Sequence, residues 1–380
     1  MKKPNTSLLR NDGFQTLISS LLCILGGLIV GYLVLLIIEP SGALEAIVAV
    51  MKSFFRFAGR SRMKYFGQTL VRSVPLLMCS LSVLFAYKVG MFNIGVAGQY
   101  VAGACGCLYA ALAWKLPWLP CLLIGMAAAA LLGVIAGVLR TKCNVNIVIS
   151  GIMLNWIALY LTNLILGKVK SPMSPYTLNL MGTNPSAKLP SLGLEKLFSD
   201  ESSVTIAIPL AILVSVVILI VLNKTTFGYE LKATGHNYHA AKYAGMKEDR
   251  NIILAMMISG ALAGMAAGML FLTGIEEWET SISSVPAMGF NGIAVAFLGG
   301  LNPLGSILAA YFIQHITLGG GNVDLTVYCA QISSLISSLI IFLCAFVGFF
   351  KYIIKIRQIK ADAAAVKKDA QAADEKGGEA

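Results

Sequence analysis

The chain has 380 residues, of which 57% are hydrophobic and only 12% charged, and its 29 basic against 18 acidic side chains give a formal charge of +11. A soluble domain carries about a quarter charged residues, so a water-coated globule is excluded and the bilayer becomes the expected solvent. The positive excess flanks apolar runs and forms no stripe interleaved with stacking aromatics, which excludes nucleic acid as a partner and fits anionic headgroups.

In chain order, Lys2, Lys3 and Arg10 precede an apolar run over Gln15–Ile38. That run is too long for a signal-peptide core, and Glu39-Pro40 closes it where a cleavage site would need small residues. It is expected to be an uncleaved first helix with residues 1–14 in the cytoplasm. Over Ala43–Ala58 the apolar residues Leu44, Ile47, Val48, Met51, Phe54 and Phe55 recur at helical spacing, as in a helix lying in the membrane interface. The five basic residues of Lys52–Lys64 fall outside by simple alternation, against the positive-inside rule.

Further spans are predicted over Phe66–Tyr87, Ile94–Ala113, Trp118–Leu139 and Asn146–Leu166, with Arg140 and Lys142 marking a cytoplasmic turn. Gly167–Ser203 is a polar external loop with four prolines, and only Leu192–Phe198 in it has a helical pattern. Val204–Leu222 returns to the cytoplasm, Asn223–Arg250 is the longest internal connection, and Asn251–Thr273 crosses outward. Two shorter runs follow, Pro286–Gly299 and Pro303–Gly319, interrupted at Gly299-Gly-Leu-Asn-Pro303. Thr326–Phe350 is the last span. The expected fold is therefore an all-α polytopic membrane protein of about eight to ten helices, with a broken or re-entrant pair near the C-terminal third. Residues 15–350 form its transmembrane domain and 351–380 a cytoplasmic tail.

No Gly-x-x-x-x-Gly-Lys-[Ser/Thr] phosphate loop occurs, and neither a nucleophile elbow nor a catalytic set among His236, His239 and His315 is visible. Seven of the eight cysteines lie inside apolar runs, only Cys143 in a polar connection, so they are expected to pack as small side chains. No cofactor or metal site is expected. The full spans contain no aspartate or glutamate, which disfavours the alternative of an ion-coupled secondary transporter of a small polar solute. A receptor or scaffold would need a soluble signalling domain.

Neutral polarity is what the spans offer. Asn93 and Gln99 stand with two glycines in Asn93-Ile-Gly-Val-Ala-Gly-Gln99, a density that permits a broken helix lining a cavity. Asn155 follows on the Asn146–Leu166 helix, and Asn291 lies in the first short run. Such amides suit hydroxyl-rich sugars and heterocyclic bases. Asn163 is expected to act as interhelical glue, and Gly260, Gly264 and Gly268 as a close-packing face. In the cytoplasmic connection, Asn237 can cap a short helix and Gly245 can end it in the left-handed conformation. Ala240 and Ala241 then offer a small-residue face for a groove on another protein.

Five motifs in order complete the pattern: Thr69-Leu-Val-Arg-Ser-Val-Pro-Leu-Leu77, Asn93-Ile-Gly…Gly98-Gln99, Val145-Asn-Ile-Val-Ile-Ser-Gly-Ile-Met-Leu-Asn155, Gly235-x-Asn237-x-x-Ala240-Ala241-x-Tyr243-x-Gly245 and Gly289-Phe-Asn-Gly-Ile-Ala-Val-Ala-Phe-Leu-Gly299. Over about Gln68–Phe350 the chain resembles the inner-membrane permeases of ABC importers for nucleosides and simple sugars. The resemblance implies alternating access in a bacterial cytoplasmic membrane, both termini cytoplasmic, with segment 235–248 coupling to the ATPase. It also implies three kinds of partner: ATP-binding subunits, a second related permease and an extracytoplasmic substrate-binding lipoprotein. Members usually carry an acidic residue where this chain has Ala97 and another where it has Ile147.

Overall fold

The computed structural model describes residues 12–323, 331–344 and 346–357. Most of the expected cytoplasmic N-terminus, the start of the last span and the tail from 358 lie outside the described residues. The helices are α1 (Asp12–Ile38), α2 (Ala43–Lys52), α3 (Gly59–Lys88), α4 (Val96–Leu112), α5 (Trp118–Lys142), α6 (Ile147–Leu166) and α7 (Leu180–Thr183). They continue as α8 (Ala207–Lys224), α9 (Thr226–His236), α10 (Tyr238–Tyr243), α11 (Glu248–Phe271), α12 (Ala287–Leu298), α13 (Pro303–Gly319) and α14 (Ile332–Cys344). Among the described residues there are no strands, only the isolated bridges Lys170–Thr177 and Tyr176–Glu279. Six helices, α1, α3, α5, α6, α8 and α11, are long and apolar enough to cross a membrane, and α4 and α12 are shorter apolar helices. The fold is that of a polytopic all-α membrane protein.

Helix α3 runs through the middle, with every residue from Ser73 to Ala86 buried. Against it pack α11, α12 and α13. The glycine face of α11 is used for close approach: a Cβ on Gly264 would stand 2.6 Å from the Gly125 carbonyl of α5 and 2.7 Å from the Ala129 methyl. Lipid gives no hydrophobic push between helices, so this backbone-to-backbone fit supplies the association through van der Waals contact. Helix α2 is present, but its buried face is Ala43, Ala46, Ala49 and Val50, while Leu44, Val48 and Met51 point outward. The small residues let it lie flat on α13, and the large apolar ones face outward, as an interfacial helix requires.

The C-terminal third is interrupted as expected. Residues 272–286 are largely non-helical, and α12 has 12 residues, about 18 Å of helix where the hydrocarbon core measures about 30 Å. Irregular backbone at such depth needs side-chain partners. Asn163 provides them: its Nδ2 donates to the Ile282 carbonyl at 2.8 Å and its Oδ1 accepts from Trp278 Nε1 at 2.9 Å. The glue expected of Asn163 thus fastens a strand-like segment to α6.

Candidate functional site

Helix α3 ends where Gly90 turns to φ +79, with Gly90 N donating to Tyr87 O at 3.0 Å and Met91 N to Ala86 O at 3.1 Å. This pair of bonds satisfies the last carbonyls and stops the helix. Helix α4 begins only at Val96, and its N-cap is Gly95, which has no side chain to offer the first-turn N–H groups. Asn155 of α6 offers one instead. Its Oδ1 accepts from Gly98 N at 2.7 Å and its Nδ2 donates to Ile94 O at 3.2 Å. The approach requires glycine, since a Cβ on Gly98 would lie 2.7 Å from that same Oδ1.

Inside the break, Asn93 Nδ2 donates to Gln99 Oε1 at 2.9 Å and to Ser259 Oγ of α11 at 2.8 Å. Ser259 Oγ also lies 2.8 Å from the Ser82 carbonyl and 2.9 Å from the Ser82 hydroxyl on α3. Asn93 and Gln99 are each 1% exposed. The structure therefore gathers Asn93, Gln99 and Asn155 at one helix break, closed on protein partners in this conformation. Asn291 is half-buried on α12 and joins none of these bonds. Its helix nonetheless reaches the same place: a Cβ on Gly289 would stand 2.7 Å from Ala97 N. Ala97 is fully buried in that contact and Ile147 is 9% exposed, so at both positions a buried apolar side chain stands where the resemblance implies a carboxylate. Ser82 and Ser259 were not distinguishable in the sequence, because serines within an apolar helix follow no pattern that singles out a partner across 177 residues.

At the end of the bundle that holds Gly90, α8 passes into α9 through Thr225, whose Oγ1 accepts from Gly228 N at 3.1 Å. Asn237 is extended, and its Oδ1 accepts from Ala240 N at 3.0 Å, capping α10. Gly245, at φ +81, closes it with Gly245 N donating to Lys242 O at 3.0 Å and Met246 N to Ala241 O at 3.1 Å. Asp249 pins the segment to its neighbours, accepting from Tyr238 Oη at 3.0 Å and Lys142 Nζ at 3.2 Å. Burial, then the Asp249 carboxylate, push the Tyr238 phenol up to about 12. Gly235 rests directly on the Gly90 turn: a Cβ there would stand 2.8 Å from Gly90 N and closer still to Lys88 O.

The orientation of α10 differs from the expectation. Ala241 is 4% exposed and faces its own chain, whereas Ala240 and Ala244 are exposed and Tyr243 is 94% exposed. The carboxylates of Asp249 and Glu248, which hold Tyr238 and Lys242, fix which side turns inward.

Apolar spans, half-length helices and buried amides at a helix break define a multi-pass transport protein. The chain belongs to the family described as the permease component of the branched-chain amino acid transport system, which matches residues 65–356. It is 36% identical over 313 residues to the guanosine ABC transporter permease protein NupP of Bacillus subtilis (strain 168), covering 81% of this chain and 87% of that one. It is 33% identical to the nucleoside ABC transporter permease protein NupB of Lactococcus lactis subsp. cremoris (strain MG1363), over 80% of this chain and 86% of that one. A glucose ABC transporter permease of Haloferax volcanii is 30% identical over 75% of this chain and 78% of its own length. No solved structure matches the chain.

Proposed function

We propose that the chain is the membrane-spanning permease subunit of an ATP-driven importer of nucleosides in a bacterial cytoplasmic membrane, with both termini and α10 on the cytoplasmic side. ATP is hydrolysed by separate ATP-binding subunits, a second related permease completes the pathway, and an extracytoplasmic binding lipoprotein delivers the solute. The nucleoside assignment is supported by the similarity to the guanosine and nucleoside permeases. The observation that carries the mechanical part is the seat of Gly235 on the Gly90 turn. Movement of α10, with Tyr243 as its projecting contact, reaches Asn93 through only Met91 and Phe92 beyond that turn.

In this mechanism ATP binding draws the cassettes together and shifts α10. The 89–95 break opens, exchanging the Asn93–Gln99 and Asn93–Ser259 bonds for bonds to the solute. Coupling requires only that ATP and solute favour different global states. The test is affinity purification of the tagged permease from its host. Recovery of an ATP-binding subunit, lost in Tyr243→Ala while the permease remains folded, is the expected result. A permease that accumulates guanosine in vesicles without any ATP-binding subunit would refute the assignment.

A further inference from the structure

Helices α1 and α14 run antiparallel along one side of the bundle. A Cβ on Gly31 would meet Ile336 at 3.4 Å, and one on Gly26 would meet Leu343 at 3.6 Å. Continuing that register past α14 into the helical residues 347–357 sets Lys351 level with Ser20. Ser20 Oγ donates to the Leu298 carbonyl at 2.6 Å, so α1 is fastened to the end of α12 at the same level. The turn after Leu298 lies at the end of the bundle that holds Gly90. There the Phe297 ring packs on Tyr87 and Phe92, with centroids 5.6 and 6.3 Å away.

Between α1, this turn, α13 and Lys351 lies a cavity of about 670 Å³. Its wall is apolar, with Ile24, Ala309 and Phe312 among the lining residues. Leu21, Leu304 and Leu308 line it too while remaining exposed, so it opens sideways onto lipid. From Leu304 to Phe312 it follows α13 for about 12 Å, most of the roughly 15 Å of one hydrocarbon leaflet. Among the described residues, Lys351 is the one charged side chain that lines it. Asn302, also in the lining, caps α13, its Oδ1 accepting from Leu304 N at 2.9 Å. A helix N-terminus favours negative charge, so the polar end of the slot calls for an anion and the rest of its wall for hydrocarbon. A neighbouring helix is a poor match, because helix pairs in lipid are built from small residues that let backbones approach, and this rim is three leucines.

We propose that the cavity takes an acyl chain of an anionic phospholipid from the leaflet on the α10 side, the headgroup phosphate pairing with Lys351. Basic pockets between membrane helices recognise lipid headgroups in this way. The bound lipid wedges α1 and residues 347–357 against the α12–α13 turn. It thereby bears on α12, whose Gly289 packs on Ala97 beside the helix break. The site does not depend on which solute is carried; only naming its leaflet cytoplasmic rests on the orientation proposed above.

The test uses the full-length chain, delipidated in detergent, with dioleoyl phosphatidylglycerol as the probe and dioleoyl phosphatidylcholine as its neutral counterpart. Binding is read as lipid retained per chain and as the shift of the thermal melt. Wild type is expected to bind the phosphatidylglycerol more tightly, Lys351→Gln to lose that affinity about five-fold, and Lys351→Arg to keep it. Ala309→Leu, which fills the slot and keeps the cation, is expected to weaken binding of both lipids. Equal binding of the two lipids by wild type overturns the proposal, as does an undiminished preference in Lys351→Gln or undiminished binding in a folded Ala309→Leu. Inorganic phosphate that raises the melt as far as the phospholipid does also overturns it, since the site then serves a free anion. Loss of the second permease from the assembled complex in Lys351→Gln overturns it as well, because the face is then a subunit contact. Wild-type vesicles that accumulate no nucleoside would sink the nucleoside assignment and leave the lipid result standing.

Discussion

Replacing Gly235 by alanine adds a single methyl where α9 meets the turn after α3. Its Cβ would stand 2.8 Å from both Gly90 N and Val89 C, nearer still to Lys88 O, and all three are backbone atoms. Backbone cannot rotate aside as a side-chain tip does. Relief therefore needs the two turns to part by about 0.6–1 Å, a shift of the kind that costs roughly 1–3 kcal/mol in a packed interface. The displaced turn is the one that leads through Met91 and Phe92 to Asn93. At about 1.4 kcal/mol per factor of ten, the coupling between cassette and break should fall at least several-fold. Gly167→Ala, with nothing within 4 Å of its Cβ, serves as the control. The assay is hydrolysis by the assembled complex with and without solute-loaded binding protein, beside a thermal melt. Gly235→Ala is expected to assemble, melt a few degrees lower and lose most of its solute-stimulated hydrolysis. Stimulation equal to that of Gly167→Ala would show that the Gly235–Gly90 seat transmits nothing.

Asn155→Leu should destabilise the protein by about 1–3 kcal/mol, since it orphans Gly98 N–H and the Ile94 carbonyl together; thermal melting in detergent checks this. Asn93→Leu should weaken guanosine uptake roughly ten-fold or more through the loss of its donor to solute and to Ser259, and uptake at the wild-type rate would make these amides packing alone. Cys143 is an exposed native thiol on the α10 end, so a membrane-impermeant maleimide should label it and Lys242→Cys only from the cytoplasmic side, and Lys188→Cys only from outside.

The parts of the fold that sequence reasoning reached are those decided within a few residues. Asn237 and Gly245 were readable as caps because capping depends on one side chain and one φ angle. The two short helices after Pro286 were readable because Gly299 to Pro303 interrupts them locally. Hydropathy, by contrast, registers only the stretch that crosses lipid. Helix α3 therefore starts at Gly59, well before the apolar run at Phe66. Its polar first turns are held by Glu201, which accepts from Gln68 at 3.0 Å and pairs with Lys64 at 3.7 Å. Helix α9 was missed because Gly228, Tyr229, Glu230 and Lys232 break any apolar stripe; it stands on the Thr225 cap and on Gly228 packing against the end of α8.

Which way a short helix faces is a tertiary matter, and the inward turn of Ala241 was set by Asp249 and Glu248 from the next helix. Asn93 and Gln99, six residues apart, were legible as a pair. Their closure on Ser259 and the capping role of Asn155 cross 166 and 57 residues of chain and leave no local trace.

The closed amide cluster also constrains how the switch works. Asn93 alone donates two hydrogen bonds here, one to Gln99 in the first turn of α4 and one to Ser259 of α11. Opening the break without replacing them would leave buried donors and acceptors unmet, at about 1–3 kcal/mol each. Two such losses, roughly 2–6 kcal/mol, suffice to hold an empty permease almost wholly in the closed state. A solute that satisfies the same groups removes that penalty only in the open state, which is the differential affinity a population shift requires.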